Sequence, residues 1–138
     1  MIQVKHLFGE LDRLLIELLK GLKNEDWDLP TSAKLWNVKD VTSHLLDTNL
    51  RTLSIQRDRY FGEKPPEFKN RQDLIDWLNR LNADWVKATK RLGPDVLISL
   101  LESSGKEVTN YYQSLPDMGE AIFPVAWAGE DQSLNWMH

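Results

Sequence analysis

The sequence predicts an all-α fold: an up-down helical bundle of four substantial helices with a crossover loop. Three observations carry this reading. Apolar residues recur at spacings of three and four along most of the chain, the period of a helix with one buried face. Helix start signals precede these stretches, with Asn37 three residues before Asp40, and Gly93-Pro94 ahead of Val96. Gly and Pro cluster at the joins between them, where they end helices and open loops.

The first helix is expected near 4–22, on Val4, Leu7, Phe8, Leu11, Leu14, Leu15, Leu18, Leu19 and Leu22. Lys20 and Lys23 suit its C-terminus, where cations meet the helix dipole favourably. Asn24 to Pro30 read as a connector. The second helix is expected over 38–61, with Asn37 as N-cap and Val38, Val41, Leu45, Leu46 and Leu53 as its stripe. Gly62, Pro65 and Pro66 stop it. Trp36, just before the cap, is placed to staple back onto the first turn. The third helix, 71–92, carries Leu74, Trp77, Leu78, Leu81, Trp85 and Leu92, with Trp77 and Trp85 as core anchors. The fourth, 95–115, carries Val96, Leu97, Leu100, Leu101, Val108 and Tyr112, with Gly105 as a weak point. Leu11, Leu15, Leu18, Val41, Leu45, Leu78, Leu81 and Trp85 are expected to meet in one core. Beyond Pro116 the period fails. Residues 121–127 are apolar but contain Pro124, which suits a buried extended stretch or an edge strand. A last helix starts near Asp131 and has barely turned once at His138, so it reads as truncated, since so short a helix does not hold itself together.

Composition narrows the function. The chain has 138 residues, the size of one domain, with 41% hydrophobic and 28% charged residues, as in ordinary globular proteins. It has no Cys, which excludes a disulfide framework, a thiolate zinc site and a cysteine nucleophile, and suits a reducing cytoplasm. A net charge of −4 argues against nucleic acid as partner. No segment approaches the roughly 20 apolar residues of a membrane span, so no membrane is expected, and Met1 opens no signal-peptide pattern.

Among His6, His44 and His138, no pair has the spacing of a local metal clamp. His44 stands on the flank of the second helix's apolar stripe, together with Asp40, Asp47, Thr48 and Arg51. Two readings of this flank stay open. A metal-ligating imidazole is commonly oriented by a carboxylate one turn away, which Asp40 or Asp47 supplies. The other is a plain helix histidine paired with Asp40 or Asp47, the commoner case for such a flank. Ser43 is adjacent to His44 but faces elsewhere, so no Ser–His nucleophile follows. Trp127, in an irregular apolar loop, lines a pocket or packs in the core.

The stretch Leu35-Trp36-Asn37-Val38-Lys39-Asp40-Val41-Thr42-Ser43-His44-Leu45 resembles the W-x-V-x-D-x-x-x-H-L element of the DinB/YfiT-like superfamily, and in particular the N-terminal domain of mycothiol-dependent maleylpyruvate isomerases. The order of the chain agrees: a first amphipathic helix, a Trp27-Asp28-Leu29-Pro30 connector, the signature helix, a third helix and an irregular loop before a last bundle helix. The resemblance implies a four-helix bundle holding a divalent metal, zinc or nickel, with His44 as first ligand. The other two ligands of that superfamily lie four residues apart on the last helix. Here the one histidine beyond His44 is His138, so the expected set is His44, with His138 as a second ligand or as a residue of that helix's first turns, and the remaining ligand past the chain end. The implied chemistry is metal-dependent activation of a low-molecular-weight thiol as cosubstrate, for S-transfer to or isomerisation of a small-molecule substrate. The alternative is a non-catalytic, dimerising helical bundle of the stress-response type with a vestigial metal site; metal content separates the two.

Overall fold

The computed structural model describes residues 5–116. The expected strand at 121–127, the last helix, Trp127 and His138 lie outside these residues. The regular structure of the described part is helical apart from one isolated antiparallel bridge between Pro30 and Asn37, with loops at 29–37 and 58–70. Four long helices follow in order: α1 (Lys5–Lys20), α2 (Val38–Arg51), α3 (Arg71–Ala88) and α4 (Pro94–Ser114).

The second, third and fourth helices start where the sequence placed them. Asn37 and Asn70 cap α2 and α3 by accepting from the N–H groups of Asp40 and Asp73, both at 2.9 Å. Pro94 opens α4 behind Gly93, where its missing N–H costs no helical bond. Their ends differ from expectation. The second helix does not run to residue 61 in α form. It widens at Thr52–Arg57 into a π-helix, closed by the Asp58 N–H on the Leu53 carbonyl at 3.0 Å, and Arg59 then turns at φ 58°. The third tightens after Ala88 into a 3-10 turn, Thr89–Arg91. The Asn24–Asp28 connector is itself a 3-10 turn, and it places Trp27 in the core.

In space the order is α1–α4–α2–α3. Phe8 meets Tyr112 while Lys20 pairs with Glu102, so α1 runs antiparallel to α4. Leu46 lies with Leu97 and Leu101, and Asn49 donates to Ser104, so α2 runs parallel to α4. The main core joins Ile16, Leu19, Trp27, Leu46, Leu97, Ile98 and Leu101, and a second cluster joins Leu53, Val108 and Tyr112. The expected core needs correction. Leu15, Leu45 and Trp85 do pack against the main cluster, but Leu11 and Leu18 face solvent, and Val41, Leu78 and Leu81 are half-buried and belong to neither cluster. The places of Leu11 and Leu18 on α1 are taken by Ile16 and Leu19, because α4 approaches from the side of Gly9 and Asp12. Trp77 is half-buried against Phe68 of the preceding loop and belongs to neither cluster.

Candidate functional site

The site residues are placed by α2, and α2 is held by α3. At its first turn Asn37 and Asp40 form a reciprocal capping box, the Asn37 N–H donating back to Asp40 Oδ2 at 3.2 Å. Asp40 is buried, and Lys90 donates to both its oxygens, at 2.9 and 3.1 Å. One turn on, the Ser43 hydroxyl bonds the Thr89 hydroxyl, and the Trp85 indole N–H donates to the Ser43 carbonyl at 2.7 Å. Two turns beyond Ser43, Arg51 bonds Asp47 and donates to Asn82 Oδ1 at 2.6 Å. Polar ties at Asp40, Ser43 and Arg51 therefore fix α2 to α3 and the turn after it, and they set the rotation of α2 about its axis.

That rotation decides where His44 points. It follows buried Ser43 by one residue, about 100° around the helix. The ring is half-buried and lies against the Trp36 indole, with centroids 5.1 Å apart and planes tilted by 41°. Its Nδ1 is buried and has no hydrogen-bond partner. Burial holds the imidazole pKa below its ordinary value, the Arg51 charge adds to this, and the Asp47 charge opposes it. His44 is therefore neutral at pH 7, with a ring nitrogen that a bound polar group or cation would satisfy.

Asp40 and Asp47, the expected orienting carboxylates, share the neighbourhood but not a hydrogen bond with His44: Asp40 is engaged by Asn37 and Lys90, and Asp47 by Arg51. Asp47 acts on His44 through its charge alone. Among the described residues, no three His, Cys, Asp or Glu side chains come together as a metal-ligand set. His44 thus fits as one ligand, and no second is supplied by these residues. Sequence reasoning missed Lys90, Asn82, Thr89 and the indole of Trp85 as the frame of the site. All lie on α3 or the turn after it, some 30–50 positions away, where no local spacing reports them. It also read Trp36 as a staple for the first turn, whereas its ring packs on His44 one turn further along.

Two surface clefts lie elsewhere. One runs between the end of α1, Trp27 and the start of α4; the other lies between α1 and α4 around Asp12, Glu102 and Lys106. Neither includes His44. No described helix is long and apolar enough to cross a membrane.

The class defined by fold and site is a helical bundle with a half-buried, hydrogen-bond-deficient histidine on its second helix. The family model described as the mycothiol maleylpyruvate isomerase N-terminal domain matches residues 8–138, and the chain belongs to that family. No curated protein and no solved structure matches the chain.

Proposed function

We propose that this bundle binds a divalent metal, zinc or nickel, through His44, and that the bound metal serves a low-molecular-weight thiol cosubstrate in S-transfer to, or isomerisation of, a small-molecule substrate. The observation that carries the reading is the buried Nδ1 of His44 without a partner, on a ring kept neutral by burial and by Arg51. A metal ligand must be unprotonated, so a depressed pKa extends binding to lower pH than a free histidine, near 6.5, would allow. When bound, a divalent cation lowers the pKa of a coordinated thiol and so supplies thiolate at neutral pH. The chain has no Cys of its own, and its family is named for a thiol-dependent isomerase, so the thiol is a cosubstrate in this reading. His138 is the proposed second ligand and lies outside the described residues. The part of this chain's residues is to hold and shield. Trp36 covers one face of the ring, and the ties of Asp40, Ser43 and Arg51 to α3 and the turn after it keep it from rotating.

Equilibrium dialysis against zinc and nickel tests this, followed by metal analysis of the 138-residue chain, its His44→Ala variant and its His138→Ala variant. The wild type should take up metal stoichiometrically, and His44→Ala should lose most of it with an unchanged helical circular dichroism spectrum. Equal uptake by His44→Ala overturns the assignment. The second reading, a metal-free bundle with a vestigial site, draws on the engagement of Asp40 and Asp47 by Lys90 and Arg51, which neutralises the acids one turn to either side of His44. A wild-type chain that takes up neither metal would favour it.

A further inference from the structure

Arg51 is anchored on one side and open on the other. It stands seven residues after His44, which returns it to the same flank of α2 within about 20°. Helix side chains lean toward the N-terminus, and Arg51 folds back one turn to bond Asp47. Asp47 is three residues from His44, so the guanidinium comes within about one turn, roughly 5–6 Å along the axis, of the imidazole. Its charge accordingly bears on the ring. Both bonds that hold Arg51 come from one nitrogen, Nη2, which donates to Asp47 and to Asn82 Oδ1 at 2.6 Å. The N–H of Nε and the two of Nη1 meet no acceptor among the described residues, and the side chain stays 35% exposed. A planar guanidinium held in aim, with donors unspent, is what carboxylate recognition requires.

The charges around His44 give a second reason. Asp40 and Asp47 are the acids of α2, and they are already balanced, Asp40 by Lys90 and Asp47 by Arg51. His44 itself is neutral at pH 7. Neither acid of this helix is left to offset a divalent cation held by His44. A thiolate supplies one negative charge, and a carboxylate on the bound molecule supplies the other. Asp47 also tempers the charge of Arg51, which favours a singly charged carboxylate over a phosphate dianion.

We propose that Arg51 is the ligand-recognition residue of this site and binds a carboxylate on the molecule held at the His44 metal; the proposal rests on the metal-binding reading above. The zinc-loaded 138-residue chain is titrated by calorimetry with 4-mercaptobutanoate and with its neutral amide, which share the thiol and differ in the carboxylate. The wild type should bind the acid about tenfold more tightly than the amide, the worth of one charge-assisted hydrogen bond. Arg51→Gln should bring that ratio close to one, and Arg51→Lys, which keeps the charge without the planar donors, should retain part of it. Because Arg51 also balances Asp47, Asp47→Asn combined with Arg51→Gln repeats the measurement in a chain with no unpaired acid at this place, checked by an unchanged helical circular dichroism spectrum. The Arg51 Nε–H NMR signal tells which molecule carries the carboxylate. Butanoate added to the chain saturated with the amide shifts it if the second substrate does, and the mercapto acid alone shifts it if the thiol does. No shift with either, or a ratio near one in the wild type, overturns the proposal and leaves the metal site standing. A preference for the acid that survives Arg51→Gln would mean that the carboxylate chelates zinc directly, and overturns it as well. A chain that takes up no zinc overturns the metal-binding reading and this proposal with it.

Discussion

Asn37 and Asp40 show how far a local signal reaches. Their spacing of three is legible in the sequence, and the structure returns the capping box it implies. Asn37→Ala should cost about 1 kcal/mol in urea unfolding, the usual loss for a cap; an unchanged midpoint would show that α2 is held by α3 alone. His44 was legible as a boundary residue of the same helix. Its contact with Trp36 was not, because Trp36 lies before the cap, off the helical lattice. The histidine also gives a pH prediction with a definite sign. Its folded pKa is depressed, so the unfolded chain takes up the proton first as pH falls. The destabilisation is absent above about pH 6.5 and grows as pH drops through the folded value. His44→Gln removes this component. The fall in melting temperature between pH 7 and pH 5 should be smaller in the variant than in the wild type, and an equal fall would contradict the assigned burial.

At the scale of elements, Gly105 reverses its sequence reading. Within a helix Gly is a weak point, and it was read as one. In the structure it is buried where α1 crosses α4, and a Cβ there would stand 2.7 Å from Asp12 Cγ. The missing side chain makes room for a carboxylate. Burial, with the Glu102 charge added, raises the Asp12 pKa, so ionised Asp12 strains this contact at neutral pH. Here the linkage has the opposite sign: the raised folded pKa makes stability fall as pH rises through it. Asp12→Asn should therefore raise the melting temperature at pH 7 and do less at pH 4; a larger gain at pH 4 would refute the cause. A double-mutant cycle isolates the steric part. Gly105→Ala should stabilise by about 1 kcal/mol in an Asp12→Ala background, the helix-propensity gain, and by less or not at all in the wild type. Equal effects in both backgrounds would show that the two residues do not meet.

Across the whole molecule, α4 is the centre. It packs on α1 with one side and on α2 with another, and Leu97 and Leu101 are among the most deeply buried side chains. Leu97→Ala should cost about 2–5 kcal/mol, whereas Leu35→Ser, at 93% exposed, should stay within about 0.5 kcal/mol. A small effect at Leu97 would move the core elsewhere. On α1 the expected core failed at Leu11 and Leu18 for a reason that belongs to this scale. Nearly every apolar residue of α1 obeys the three-and-four rule, so the period marks a wide face without saying which half of it meets α4. The close approach at Gly9 and Gly105 chose the half with Ile16 and Leu19.

The sequence by itself determined the helical class, the starts of α2, α3 and α4 and the position of His44 on a boundary, because caps, breakers and apolar period act within a few residues of chain. Only the tertiary structure decided which α1 leucines are buried, that Trp27 belongs to the core, and that α3 and the turn after it hold α2 through Trp85, Asn82, Thr89 and Lys90. Those outcomes depend on which helices become neighbours and on how each is rotated. Rotation is fixed by polar ties and close contacts between residues far apart in the chain, which no local pattern records.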